Sequence, residues 1–147
     1  MHHGYHEGHE DHENIRPSCT RGEYMKVDDL SNKVIGCAIE VHRELGPGLL
    51  ESTYEQCLAY ELNRASILFR IEVNLPVQYK EVALDCGYRI DVLVDDRLIV
   101  ELKSVDQLLK VHEAQILTYM KLADVRTGLL INFNVELLKN GIKRFVL

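Results

Sequence analysis

Three residues in the middle of the chain, Asp91, Glu101 and Lys103, have types and spacing that suit the binding of a cation. Asp91 interrupts one strongly apolar segment, and Glu101 and Lys103 lie at the end of the next one. Burying two carboxylates and a lysine costs several kcal/mol unless a metal ion or ion pairing compensates. The pattern therefore indicates a cation site with a lysine beside it.

The relative position of the two carboxylates depends on how two predicted strands, Tyr88–Val94 and Leu98–Leu102, are joined. Side chains alternate along a strand, so Glu101 shares a face with the lysine two positions later. A three-residue loop places Asp91 opposite Glu101, with their Cβ atoms about 5 Å apart. A two-residue turn would shift the pairing by one position. The cation site therefore requires a loop of odd length or a bulge.

An ordinary solvated strand face with a surface ion pair explains the same three residues. Exposed pairs between a lysine and a carboxylate are common and contribute little to stability. The spacing is short, so from the residues alone the cation site and the solvated face stay equally open.

Two further groups of polar residues lie on predicted helices. Glu51 and Tyr54 are one turn apart near the start of one helix. His112, Gln115 and Tyr119 form a polar stripe along a later helix. The helix dipole also favours a carboxylate at a helix start, and a solvated flank also explains a polar stripe. Taken singly, each group is explained without a functional site, by the helix dipole in one case and by a solvated helix flank in the other.

The pattern of apolar residues predicts the elements that must position these groups. Three-four spacing and capping residues predict a helix that begins at Ser31 and ends at Gly46–Pro47, a second over Leu50–Arg64 and a third over Val105–Asp124. Alternation and apolar runs predict the strands, which lie at 69–79, 88–94, 98–102, 128–133 and 142–146. Asn140–Gly141 is typical of a hairpin turn. The order is ααβββαββ, an α/β domain.

Composition limits the classes of protein to which the chain can belong. Its 147 residues, 46% of them hydrophobic, suffice for one domain with a core. A net charge of -6 argues against a cationic nucleic-acid binder. No apolar run suits a membrane span or a secretory signal. Four scattered cysteines without a C-x-x-C pair favour a reducing, cytoplasmic setting.

Residues 1–26 differ from the rest of the chain. They hold five of the seven histidines, interleaved with acids, and show no apolar periodicity. We expect a disordered tail here. Such a tail could bind Zn²⁺, Ni²⁺ or Cu²⁺ weakly, but no ligand spacing recurs, so a plain solvated tail is favoured. The single folded domain is predicted over residues 27–147.

The motif formed by Gly48, Glu51 and Tyr54 matches the signature of the GxxExxY protein family, which the chain resembles from about Leu30 to Leu147. Other segments that are similar to this family are 39–51, 111–119, 128–133 and 141–144. The family is placed in the PD-(D/E)XK nuclease superfamily, whose core is αβββαβ. The resemblance implies a restriction-endonuclease-like fold with a mixed central sheet flanked by helices, and the predicted element order fits it.

The resemblance also implies a metal site. It assigns Asp91 to the D, and Glu101 and Lys103 to the E-x-K, of the superfamily motif, although Ile90 stands where a proline often precedes the aspartate. Mg²⁺ or Mn²⁺ would bind to oxygen atoms of Asp91, Glu101, Glu51 and the Leu102 backbone carbonyl. A bound ion of this kind lowers the pKa of a coordinated water and neutralises charge on a phosphate.

The remaining site residues follow from the same resemblance. Lys103 would orient the attacking water or stabilise the transition state. Gln115 and Tyr119 match a Q-x-x-x-Y element that contacts nucleic acid or supports the metal ligands. Tyr54 and His112 are likewise expected to bind the substrate or to support the metal ligands.

The implied function is metal-dependent hydrolysis of phosphodiester bonds in DNA, or less favourably RNA. The alternative is a non-catalytic protein-interaction module that retains the nuclease-like fold, since fold does not determine function. The intact acids and lysine favour the enzyme. A homodimer is plausible because the terminal hairpin offers a sheet edge.

Overall fold

The computed structural model describes residues 24–147, so most of the predicted tail lies outside the described residues. The described residues form three α-helices, seven β-strands and one 3₁₀-helix. In chain order these are α1 (Val27–Leu45), α2 (Glu51–Arg64), β1 (Phe69–Asn74), β2 (Val77–Tyr79), β3 (Val82–Leu84), β4 (Arg89–Val94), β5 (Leu98–Lys103), α3 (Lys110–Ala123), β6 (Thr127–Asn132), the 3₁₀-helix (Leu138–Gly141) and β7 (Ile142–Val146).

Five of these strands form one mixed sheet in the order β1-β4-β5-β6-β7. Neighbouring strands run antiparallel except for β5 and β6, which are parallel and connected through α3. Strands β2 and β3 form a separate hairpin inserted between β1 and β4. Without that insertion, α2, β1, β4, β5, α3 and β6 have the order αβββαβ. The predicted α/β fold with a mixed sheet flanked by helices is confirmed.

Two apolar clusters, one on each face of the sheet, hold the three layers together. The first joins α1 and α2 to the sheet and includes Tyr54, Leu58 and Phe133. The second joins α3 to the other face and includes Ile116 and Met120. These clusters fix both sides of β4 and β5, the strands that carry the predicted cation site.

Two predicted helix starts are wrong. Helix α1 begins before Ser31, whose buried hydroxyl donates a hydrogen bond to the Val27 carbonyl at 2.9 Å inside the helix. Helix α3 begins at Lys110 and not at Val105. The Asn132 side chain binds both the N–H and the C=O of Val105, at 3.1 and 2.9 Å, and this holds the segment after β5 outside the helix.

The chain end also differs from its prediction. Asn140–Gly141 does not form a hairpin turn, because the 3₁₀-helix Leu138–Gly141 precedes β7 there. Strand β7 does lie at the sheet edge. Lys143 on β7 forms a 2.5 Å ion pair with Glu113 of α3, and charged side chains of this kind protect an edge from further pairing. The structure gives no support to the predicted homodimer.

The strand predicted over residues 69–79 is divided in two. Strand β1 ends at Asn74 and β2 begins at Val77, since Pro76 has no N–H to donate to a ladder. Within residues 24–147, no helix has the length and apolar character needed to cross a membrane.

Candidate metal centre

The turn between β4 and β5 sets the register of the candidate site. Asp95 and Asp96 both adopt left-handed backbone angles, with φ of 54° and 57°, and the Arg97 N–H donates to the Val94 carbonyl at 2.9 Å. Val94 pairs with Leu98, so three residues connect the strands. This confirms the three-residue loop. Continued along the hairpin, the register places Asp91 opposite Glu101.

The two carboxylates take the place of the backbone ladder at that point. The last β4–β5 pair is Val92 with Val100. Beyond it, the Asp91 N–H donates to Oε2 of Glu101 at 2.9 Å, and the Leu102 N–H donates to Oδ2 of Asp91 at 2.9 Å. The strands therefore separate here, and each side chain accepts a backbone hydrogen bond from the opposite strand.

A third carboxylate, that of Glu72, continues the row onto β1. The flanking pairs of the β1–β4 ladder place Glu72 opposite Asp91, so Glu72, Asp91 and Glu101 lie side by side on three adjacent strands. Glu72 has a φ of 54°, a left-handed conformation that costs a residue other than glycine about 1–3 kcal/mol.

At Glu72 on β1, and at Asp91 opposite it on β4, the side chains change from one face of the sheet to the other. Residues two apart on a strand normally share a face. On β1, however, Ile71 belongs to the α1–α2 cluster and Val73 packs against the α3 cluster. On β4, Val92 belongs to the α1–α2 cluster and Ile90 belongs to the α3 cluster. The strands therefore rotate at Glu72 and at Asp91 opposite it.

Helix α2 contributes a fourth carboxylate. One oxygen each of Glu55, Glu72 and Asp91 lie within 4.8 Å of one another. Glu55 is one turn after Glu51 on the helix. Neither Glu55 nor Glu72 was predicted from the sequence as a site residue. The i, i+4 repeat of glutamates on α2 is the signal that could have found Glu55.

Burial raises the pKa of three of these carboxyl groups. Desolvation, followed by the Asp91 charge, raises the pKa of Glu101 to about 8. Desolvation, followed by a side-chain hydrogen bond with Glu72, raises the pKa of Glu55 to about 9. Desolvation raises the pKa of Asp91 to about 6 against the opposing effect of the Leu102 hydrogen bond. The cluster holds more negative charge than its surroundings neutralise.

Lys103 and Glu51 lie next to this cluster. The Lys103 charge lowers the pKa of both Asp91 and Glu101, so its ammonium group is near both carboxylates. Glu51 is exposed, and its Oε2 accepts a hydrogen bond from the Ser104 N–H at 3.2 Å. Its charge also raises the pKa of Asp91. The structure therefore brings the predicted residues Glu51, Asp91, Glu101 and Lys103 into one neighbourhood.

Tyr119 of α3 faces the same carboxylates. Gln115 donates a hydrogen bond to its hydroxyl at 3.3 Å. Burial raises the pKa of Tyr119, and the charges of Glu101 and Asp91 add to this effect against the opposing Gln115 bond. The predicted Gln115–Tyr119 pair therefore lies beside the carboxylate cluster.

A family model described as the PD-(D/E)XK nuclease superfamily matches residues 28–145. The chain belongs to this superfamily. Comparison with curated proteins and with solved structures gives no match. The match includes residues from every strand of the main sheet and all the carboxylates of the cluster. The narrower resemblance to the GxxExxY family stays a prediction.

Two residues that the resemblance implies near the site, Tyr54 and His112, have contacts within the protein. Tyr54 is fully buried, stacks on Phe133 with ring centroids 4.4 Å apart, and donates to the Gly46 carbonyl at 2.6 Å. A tyrosine with no exposed surface cannot contact a substrate, so Tyr54 anchors the loop that precedes Glu51. His112 accepts the Leu109 N–H at Nδ1, 2.9 Å away, and caps α3.

The donor set fits a hard divalent cation of the kind that this superfamily generally uses. Carboxylate oxygens are the ligands that Mg²⁺ and Mn²⁺ prefer, and these carboxylates are carried by three adjacent strands and a helix. Uncompensated buried carboxylates are costly, and a bound cation removes that cost. Soft sulfur ligands are absent from the group formed by Glu55, Glu72 and Asp91 within the described residues.

Proposed function

We propose that the protein is a divalent-metal-dependent nuclease that hydrolyses phosphodiester bonds, with DNA as the first substrate to test and RNA as the second. The observation that carries the proposal is the convergence of carboxylate oxygens of Glu55, Glu72 and Asp91 within 4.8 Å of one another, where β4 and β5 separate. Glu101 of β5 lies beside them and accepts the Asp91 N–H. Membership of a nuclease superfamily supports it.

The metal ligands in this proposal are Asp91 and Glu101, joined by Glu55 and Glu72. Glu51 and the Leu102 carbonyl complete the set expected from the sequence. Mg²⁺ or Mn²⁺ would supply an activated water and neutralise charge on the phosphate. The chain itself holds two of the carboxylates in place, since the Asp91 N–H binds one oxygen of Glu101 and the Leu102 N–H binds one oxygen of Asp91.

Lys103 is the positively charged group of the proposed reaction. It follows Glu101 by two positions and shares its face of β5. An ammonium near the carboxylates is placed to orient the attacking water or to stabilise the charge of the transition state. In this proposal Gln115 and Tyr119, which share a hydrogen bond, contact the nucleic acid from the α3 side or support the metal ligands.

The acidic balance of the chain is consistent with this function when a metal is bound. Several of the negative charges that make up the net charge of -6 are the proposed ligands. A divalent cation offsets them, so tight binding of nucleic acid should require the metal. We place the activity in the cytoplasm, because Cys37, Cys57 and Cys86 are free thiols, which suit a reducing compartment.

The test is a cleavage assay on single-stranded DNA, duplex DNA and RNA with Mg²⁺ or Mn²⁺. Asp91→Asn and Lys103→Ala should abolish cleavage of whichever substrate the wild-type protein cuts. Asp124→Asn is the matched control, because Asp124 is exposed at the end of α3 in a left-handed conformation that asparagine tolerates.

Cleavage that survives in both Asp91→Asn and Lys103→Ala would reveal a contaminating nuclease and contradict the proposal. No cleavage of any substrate, together with no calorimetric binding of Mn²⁺, would instead favour the non-catalytic interaction module.

A further inference from the structure

An exposed aromatic side chain, that of Tyr88, lies next to the candidate metal centre. Tyr88 is 46% exposed and immediately precedes β4. Asp91 is three positions further along the strand, about 10 Å away at the rise of an extended chain. Tyr88 has no part in the metal-binding arrangement proposed above.

The backbone holds Tyr88 rigidly. Its carbonyl accepts the Leu75 N–H at 2.9 Å, and the next residue, Arg89, pairs with Asn74 in the β1–β4 ladder. The Tyr88 ring packs against the Tyr119 ring at 6.2 Å between centroids and an angle of 59°. One part of the ring is therefore held by Tyr119, while the rest is open to solvent.

The Tyr88 ring is on the same side of the sheet as Glu101 and Lys103. Ile90 and Ile99 both belong to the α3 cluster, and residues two apart share a face. Tyr88 precedes Ile90 by two positions, and Glu101 follows Ile99 by two. The contact with Tyr119 of α3 agrees with this placement.

The chain as a whole is acidic, with a net charge of -6, which does not favour binding to the phosphates of nucleic acid. Several cations of the described chain are already paired with carboxylates: Arg43 with Glu40, Arg70 with Asp96, Arg97 with Asp95, Lys143 with Glu113 and Arg144 with Asp28. Stacking of a base on an aromatic ring does not depend on a cationic surface and tolerates any base sequence.

We infer that Tyr88 stacks against an unpaired nucleobase of the strand that enters the metal centre, so that single-stranded substrate is preferred over duplex. The inference rests on the proposed nuclease function. Inside a duplex both faces of a base are covered by its stacked neighbours, whereas an unpaired base can offer a face to the ring. The hydrogen-bonded backbone at Leu75 and Asn74 keeps the ring in place before binding.

Kinetics on single-stranded DNA test this role. Tyr88→Ala should raise the KM for a single-stranded oligonucleotide roughly 5- to 150-fold, the range measured for lost base stacking. Tyr88→Phe should retain the wild-type KM, and Tyr88→Leu, which keeps apolar packing on Tyr119 without an aromatic ring, should behave like the alanine variant. Tyr60→Ala is the matched control, because Tyr60 on α2 is also 46% exposed.

Fluorescence gives a second readout that needs no cleavage. The chain has no tryptophan, so the Tyr88→Trp variant carries a single indole at this position. With Mg²⁺ present, a single-stranded oligonucleotide should quench that indole, while a blunt duplex and the Tyr60→Trp variant should show little quenching. Equal quenching in both variants, or an unchanged KM in Tyr88→Leu, overturns the inference.

Failure of this inference is separate from failure of the proposed function. Mg²⁺ or Mn²⁺ should raise the thermal stability of the wild-type protein, and all Tyr88 variants should show the same increase. Wild-type protein that neither binds Mn²⁺ nor cleaves DNA contradicts the nuclease function. Cleavage that is indifferent to Tyr88 contradicts only the stacking role.

Discussion

The two halves of the β4–β5 hairpin are built from the same strands but stabilised in opposite ways. In the half near the turn, backbone pairs join Val92 with Val100, Leu93 with Ile99 and Val94 with Leu98, and all six side chains are buried. In the other half, Asp91 and Glu101 accept the backbone hydrogen bonds and the strands separate. The apolar half supplies stability, whereas the acidic half holds charge that a stable core would exclude.

This difference is typical of a functional site. Carboxylates without compensating charge raise the free energy of the folded state, and the raised pKa values of Glu101, Asp91 and Glu55 reflect that cost. Proteins retain such groups where they bind a ligand or react. We call the half near the turn the closed half and the half with Asp91 and Glu101 the open half. The closed half keeps the open half in register.

The largest effect should come from removing the charge of the open half while keeping its hydrogen bond. Glu101→Gln retains an oxygen that can accept the Asp91 N–H, so the variant should fold. Cleavage should fall by at least about 1,000-fold, because a neutral amide is a weaker ligand for Mg²⁺ than a carboxylate and the loss of one electrostatic group already costs about 100- to 1,000-fold. Glu81→Gln, an exposed change in the β2–β3 turn, is the control for steady-state cleavage kinetics. Activity within tenfold of wild type would contradict the role of Glu101.

The next effect should come from the closed half and appear in stability alone. Ile99→Ala removes a fully buried side chain and should lower the free energy of unfolding in urea by about 2–5 kcal/mol. Under native conditions its Mn²⁺ affinity should equal that of wild type. The control, Val111→Ala, changes a side chain that is 66% exposed and should have an effect below about 0.5 kcal/mol. Lost metal affinity in the folded Ile99→Ala protein would show that the two halves are not separable.

The facing of Asp91 and Glu101 could be predicted from the sequence because it depends on local features. Strand alternation and the length of the loop that begins at Asp95 determine the register. Glu55 and Glu72 could not be assigned in the same way, since their approach to Asp91 depends on how α2 and β1 pack. Nothing in the sequence marks a glutamate that adopts a left-handed conformation within a strand.

The predicted starts of α1 and α3 failed for a related reason. Ser31 is a good capping residue, yet its hydroxyl binds the Val27 carbonyl within a longer helix. Val105 has helical spacing with the residues after it, but the Asn132 side chain, distant in sequence, binds its backbone. At α3 a tertiary hydrogen bond overrides the local propensity, whereas at α1 the serine bonds to the preceding turn of the same helix.

A pH titration should distinguish the two halves further. The folded-state pKa values of Glu101, about 8, and Glu55, about 9, lie above the ordinary value of 4.5. Their protonated forms favour the folded state, so this stability is present below about pH 4.5 and is lost as the pH rises toward 9. The metal-free protein should therefore become less stable over this range in thermal denaturation, and Glu101→Gln should flatten the profile.

Metal binding should have the opposite pH dependence. Mn²⁺ must displace the protons of these carboxyl groups, so its affinity should rise up to about tenfold per pH unit between pH 6 and 8 for each proton released. Calorimetry at three pH values measures this slope. An affinity independent of pH would contradict binding at Glu101.

The smallest effect should come from relieving the strained backbone of the open half. Glu72→Gly should stabilise the metal-free protein by about 1 kcal/mol, because glycine adopts a positive φ without strain but loses more chain entropy on folding. Glu72→Ala, which removes the same carboxylate and keeps the strain, is the matched control in urea denaturation. A Glu72→Gly protein that is less stable than Glu72→Ala by the entropy cost of glycine, about 0.5–1 kcal/mol, would show that the left-handed conformation stores no strain.

The central claim is that the open half of the hairpin binds a divalent metal, and a calorimetric titration of Mn²⁺ tests it most directly. The full-length wild-type, Asp91→Asn and Asp124→Asn proteins would be compared at pH 8, since all three share the same His-rich segment. Saturable binding that is retained in Asp124→Asn and lost in Asp91→Asn is the predicted result. Equal binding by all three proteins, or no binding by the wild type, would contradict the claim.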